Sequence, residues 1–238
     1  MTVVRSEWGI QGVRRLRPRV AVLVIVDVLS FSTAVDIATG RGAQVLPFPS
    51  GDRAAAQDAA SKAGASLAAP RKAGGGQVSL SPQTLSQLAA GARLMLPSPN
   101  GSRLSVEAGS GPVLAACFRN AGAVARAALQ FAGDGDIGVI AAGERWPDGS
   151  LRPAVEDHLG AGAVIHALDC RMDAEARVAR GAYLAAANEL DWIIRSCVSG
   201  QELIGEGFED DVDLALQLDI SGHAPLMKGG FYACFQPE

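Results

Sequence analysis

An α/β fold with a mainly parallel sheet and helices on both faces is predicted by two features of the sequence. Short apolar runs bounded by Gly and Pro alternate with stretches of helical spacing, the signature of βαβ units. The runs are continuously apolar, as strands covered on both faces must be. With 238 residues, 48% hydrophobic and 19% charged, the chain can bury a sizeable core and does not read as disordered. It reads as a single domain over 1–238; if two similar α/β subdomains are present, 70–80 or 132–136 is where they divide.

The elements follow in order. Residues 20–26, ending in "VLVIV", form a buried strand, and 33–39 carry helical spacing until Gly40 and Gly42 break it. Residues 43–48 form a second strand and 52–63 an Ala-rich helix stopped by Gly64. A surface loop is expected at the glycines 74–76. Residues 93–96 form a third strand ending at Pro97, and Val113–Ala116 and Ile137–Ala141 two more, with a helix over 121–131 between them. After Glu156 the chain reads as largely helical, over 161–168, 174–190 and 211–218, with no internal repeat.

Charge and cysteine content narrow the function classes. A balance of 21 basic to 25 acidic residues, net −4, leaves no electrostatic footprint for nucleic acid. Four cysteines without a CxxC pair suggest neither a zinc knuckle nor a disulfide framework, so reduced thiols and a cytoplasmic location are expected. The first 19 residues lack the apolar region of a secretory signal, and the apolar run at 20–29 is too short to span a bilayer, so no membrane partner is expected. A homo-oligomer is compatible with the sequence.

In open α/β sheets ligands bind beyond the carboxyl ends of the strands. Four such ends carry unusual polar sets: "VDVLSFST", "LPSPNGSRLS", "CFRNAG" and "GERWPDG". Asp27 ends an otherwise apolar strand and serves either as a turn residue or as a carboxylate ligand for Mg²⁺, a hard cation that favours oxygen. Ser32 and Thr33 either cap the following helix or join free amides in holding phosphate. In "SPNGSR", Asn100 and Gly101 signal a turn, while Ser102 and Arg103 offer a hydroxyl and a guanidinium fork to an anion.

Glu156 and Asp157 fall in the first turn of a helix, where their charge suits the helix dipole. If they meet Asp27 across the strand ends, three converging carboxylates call for a cation. His158 beside them reads as an exposed helix histidine in preference to an acid or base. Cys117 at a strand end reads as packing in preference to a nucleophile.

Together "VIVDVLSFSTAV", "LPSPNGSRLS", "CFRNAGAVARAAL", "GVIAAGE" and "VEDHLGAGAVI", in this order, resemble the 2-phosphosulfolactate phosphatases, the ComB-like proteins. The resemblance implies a Mg²⁺-dependent phosphatase of α/β fold acting on a small-molecule phosphate ester. It places Asp27, Asn100, Gly101, Ser102, Arg103, Asn120, Glu156 and Asp157 around the site. On this reading Asp27, Asn100, Ser102 and Arg103 are catalytic, Ser30, Ser32, Thr33, Gly101 and Asn120 bind substrate, and Asp27, Glu156 and Asp157 hold the metal.

The departures are local. Ser30 and Phe31 stand where the family typically has arginine and a small residue, which removes a cation beside the acidic strand end. A "GER-G" loop is represented by "PRKAGG", which keeps Arg71 without the glutamate, and "NSP" appears as "LSP" at 80–82. Leu29 occupies the place of the second aspartate of haloacid-dehalogenase phosphatases, which disfavours that mechanism. Two further readings are a cysteine-nucleophile hydrolase using Cys117 and a non-catalytic phosphate-binding or small-molecule-binding protein.

Overall fold

The computed structural model describes residues 1–49, 51–73 and 77–237; the glycine loop expected at 74–76 lies outside them. The chain begins with strand β1 (Val3–Trp8), helix α1 (Gly9–Leu16), β2 (Val22–Val26), α2 (Phe31–Gly40), β3 (Gln44–Phe48), α3 (Arg53–Lys62) and β4 (Ser66–Leu67). It continues through α4 (Pro82–Leu85), β5 (Arg93–Pro97), α5 (Gly101–Glu107), β6 (Val113–Ala116), α6 (Ala121–Ala132) and β7 (Ile137–Ala141). A small hairpin, β8 (Glu144–Arg145) and β9 (Leu151–Arg152), leads to α7 (Val155–Leu168), β10 (Arg171–Met172) and α8 (Ala174–Ala186). The C-terminal part comprises α9 (Leu190–Ser196), α10 (Val198–Gly205), α11 (Glu209–Ala215), β11 (Ala224–Lys228) and β12 (Phe231–Phe235).

Among the described residues ten strands form one sheet in the order β10-β1-β7-β2-β6-β11-β12-β3-β5-β4. Pairing is parallel from β10 to β6 and again among β3, β5 and β4, as the expected α/β fold requires. The β11–β12 hairpin joins the two parallel blocks by antiparallel pairing with β6 and β3. The last third is otherwise largely helical, as read, and the hairpin is the element that reading left out. The hairpin turns at Gly229 and Gly230, with φ of +62° and +86°, the left-handed backbone that a two-residue hairpin turn needs.

Strand periodicity explains the two-sided core. In β2, Leu23 and Ile25 face one side, where they pack with Val13 and Leu16 of α1, Phe31 and Val35 of α2, and Leu104 of α5. Val22, Val24 and Val26 face the other side and pack with residues of α6, α7 and α8. The Ala-rich α3 starts as read: Asp52 caps it, its side chain accepting from the Ala54 and Ala55 amides. The helix expected over 174–190 instead breaks at a 3₁₀ turn, Ala187–Glu189. Among the described residues no helix is long and apolar enough to cross a membrane.

β2, β6 and β7 end in register, Val26 pairing with Ala116 and with Ala141, so the turns that follow these strands lie at one edge of the sheet. Those turns, with the one after β5, carry the polar sets singled out above.

Candidate active site at the strand ends

Asp27 leaves β2 buried, and its carboxylate is held by two helix starts. Oδ1 accepts from the Phe31 amide of α2 at 3.2 Å, and Oδ2 accepts from the Gly101 amide of α5 at 2.7 Å. The carboxylate thus ties the β2 turn to the β5 turn, and the positive ends of two helices lower the cost of burying its charge. Gly101 is required by this approach: a Cβ there would lie 2.2 Å from the Phe31 ring and 2.7 Å from Asp27 Oδ2. Burial and the repulsion of Glu144 still push the Asp27 pKa up to about 7.

Asp27 lines a polar cavity of about 330 Å³ together with Ser30, Arg71, Asn100, Glu144 and Ser199. Glu144 follows β7 and accepts a 2.9 Å hydrogen bond from the Asn100 side-chain amide. Burial raises its pKa, and the Asn100 bond opposes that rise. The loop carrying Glu144 is visible in the sequence, but Glu144 itself was not among the expected site residues.

Arg71 is the second addition. Its guanidinium donates to Ser30 Oγ at 2.8 Å and pairs with buried Asp211, while Phe208 stacks beneath it 5.2 Å away. Asp211 is fixed in turn by the Ser81 hydroxyl, at 2.6 Å, and by the Gln83 amide. A cation therefore does stand beside the acidic strand end, delivered from another loop to the serine that occupies the arginine's place.

The remaining expected residues are positioned otherwise. Ser32 Oγ donates to Ile25 O, Thr33 Oγ1 to Val28 O and Ser102 Oγ to Leu96 O, all fully buried. Asn120 accepts from the Cys117 amide and donates to buried Asp36. These four side chains hold strand-to-helix turns together and are not among those that line the cavity. Arg103 lines an adjoining cavity of about 310 Å³, which shares Asn100 and Glu144 with the first.

The three expected metal ligands are near one another without forming a ligand set. Asp157 gives one oxygen to the Val28 amide and the other to the Gly143 amide, both at 2.8 Å, so it joins the β2 and β7 turns. Glu156 Oε2 accepts from the Cys197 thiol. Burial, together with repulsion from Asp27 and Glu156, raises the Asp157 pKa well above its ordinary value. No cluster of three or more His, Cys, Asp or Glu side chains suited to a metal occurs among the described residues. The carboxylates that line the cavity are Asp27, Glu144, Glu202 and Glu206; of the three expected ligands only Asp27 is among them.

His158 is half-buried and stacks on Trp8 with ring centroids 5.5 Å apart, outside the Asp27 cavity. Cys117 is fully buried and its thiol is pushed up to about 12, mainly by burial, which leaves no nucleophilic thiolate near neutral pH.

The model of the family described as 2-phosphosulpholactate phosphatase matches residues 13–230. A 2-phosphosulfolactate phosphatase of Methanothermobacter thermautotrophicus (strain Delta H) is 34% identical over 139 residues, 58% of this chain. That aligned stretch spans 57% of the length of the relative. With the family match running from α1 into the β11–β12 turn, the chain belongs to the 2-phosphosulpholactate phosphatase family.

Proposed function

We propose that the protein hydrolyses a phosphate monoester of a small acidic metabolite resembling 2-phosphosulfolactate, and that Mg²⁺ is its cofactor. The observation that carries this reading is the convergence of Asp27, Glu144, Asn100 and Arg71 on one cavity at the strand ends. Asp27 and Glu144 are both desolvated acids with raised pKa values. Such a pair suits a hard cation, since Mg²⁺ is usually bound by one or two carboxylates, waters and substrate phosphate. When bound, Mg²⁺ supplies positive charge to the phosphoryl oxygens.

The protein's own residues do the rest. The Phe31 and Gly101 amides fix the Asp27 carboxylate, and the Asn100 amide fixes that of Glu144. Arg71, held from behind by Asp211, offers its guanidinium to phosphoryl oxygens as negative charge develops there. The four cysteines are free, in keeping with a reducing cytoplasmic setting.

The test is phosphate release from a panel of phosphorylated hydroxy acids, with and without Mg²⁺. Release should require Mg²⁺, stop with EDTA and return when Mg²⁺ is restored. Full turnover after rigorous metal removal would overturn the cofactor assignment, and stoichiometric binding without turnover would favour a binding protein. Alkylation of accessible thiols should leave turnover intact; substrate-protected loss would favour the cysteine hydrolase.

A further inference from the structure

The cavity that adjoins the Asp27 cavity differs from it in charge. Acidic Asp27, Glu144, Glu202 and Glu206 line the first, with Arg71 as its cation. The second, of about 310 Å³, is lined by Arg103 of α5, Arg145 of β8 and the first residues of α1, and meets the first at Asn100 and Glu144.

Two features fit an anion to this second cavity. Among the described residues, neither Arg103 nor Arg145 forms an ion pair with a carboxylate, and the nearby Glu144 gives its Oε2 to Asn100. Helix α1 starts at Gly9 with no side-chain cap from Trp8 and no acidic residue in its first turn, and Gly9, Ile10 and Gln11 line the cavity. Two guanidiniums free of ion pairs, with Glu144 the acid that shares their cavity, and an uncapped positive helix end are stabilised together by one oxyanion.

We propose that Arg103, Arg145 and the start of α1 form a second anion subsite, which takes a carboxylate or sulfonate of the substrate while its phosphoryl group occupies the Asp27 cavity. The proposal rests on the phosphatase reading and deepens it. It makes Arg103 and Arg145 specificity-determining residues, selecting esters whose second anionic group lies a few bonds from the phosphate. The Asn100–Glu144 contact is then the divide between the two ends of the substrate.

The experiment compares 2-phosphoglycolate, which carries a carboxylate, with ethyl phosphate, which does not, on the parent, Arg145→Gln and Arg103→Gln/Arg145→Gln proteins. The parent should favour the carboxylate ester in kcat/KM. The double variant should lose at least about tenfold of that preference, the effect expected when charge-assisted hydrogen bonds are removed. A folded double variant with unchanged preference would overturn the subsite, as would an equal loss for both esters, which would mean that the arginines hold the phosphoryl group. Calorimetric binding of sulfoacetate, which has two anionic heads and no phosphate, gives a readout independent of turnover. Sulfoacetate binding that needs the arginines, in a protein that hydrolyses no ester, would uphold the subsite and sink the phosphatase reading. Hydrolysis with no dependence on the arginines would do the reverse.

Discussion

The side-chain amide of Asn100 donates to Glu144 Oε2 at 2.9 Å, joining the turn after β5 to the turn after β7. Both residues line both cavities, so one hydrogen bond positions a carboxylate at the centre of the site and separates an acidic compartment from a basic one.

Removing that donor has a predictable sign. The Asn100 bond lowers the Glu144 pKa against the upward push of burial, so Asn100→Ala lets it rise further. If ionised Glu144 is needed for turnover, the acidic limb of the kcat/KM profile moves to higher pH. Activity at pH 6 then falls more than activity at pH 8, by roughly tenfold for each 1.4 kcal/mol lost. A profile scaled down equally at all pH values would show that Asn100 acts without Glu144.

The acid cluster also sets how stability responds to pH. The Asp27 pKa is pushed up to about 7, and those of Asp157 and Glu144 are raised as well, each chiefly by burial. Unfolded carboxyls titrate near about 4, so between roughly pH 4 and 7 the folded state binds more protons than the unfolded one. Stability from these groups is therefore fully present below about pH 4 and lost as pH rises through about 7. Metal-free protein should melt lower at pH 8 than at pH 5, by on the order of 5 °C, at about 2–4 °C per kcal/mol for a chain of this size. Mg²⁺ should raise the melting temperature more at pH 8 than at pH 5. Differential scanning fluorimetry at both pH values checks it, and a melting temperature that climbs from pH 5 to pH 8 without metal would refute it.

Much of this site is legible in the sequence because an acid at the end of a buried strand is conspicuous. Asp27 stood out for that reason, and Asn100 because Asn-Gly after a strand marks a turn. The hydroxyls were harder to judge. Ser32, Thr33 and Ser102 have residue types that suit phosphate binding, yet each satisfies a buried main-chain carbonyl at a strand-to-helix turn. Sequence alone does not separate those roles. Arg71 was visible as a retained arginine, but its place was hidden because it meets Ser30 across 41 positions and Asp211 across 140. β1 was obscured by Arg5 and Glu7, whereas the missed C-terminal hairpin had a readable signal, Gly229–Gly230 between two strand-like runs.

The strongest prediction concerns Asp27→Asn. The carboxylate accepts one backbone amide on each oxygen, from Phe31 and from Gly101. Asn can keep one of these bonds, but its NH₂ then faces the other N–H, so one helix start loses its partner. That costs about 1–2 kcal/mol, the range for a lost cap, partly offset at neutral pH because a buried charge is removed. The melting temperature should therefore move by only a few degrees and the fold should persist. Turnover should fall by orders of magnitude, because a neutral amide no longer supplies the charge that a hard cation needs and metal stabilisation of transition-state charge is worth several kcal/mol. If the carboxylate serves only to tie two helices together, the same substitution lowers stability and leaves kcat untouched. Thermal unfolding, calorimetric Mg²⁺ titration and phosphate release, measured on the variant beside the parent, separate the two. A folded Asp27→Asn protein with parental turnover and parental Mg²⁺ affinity would reduce Asp27 to a helix cap and remove the centre of the proposed site.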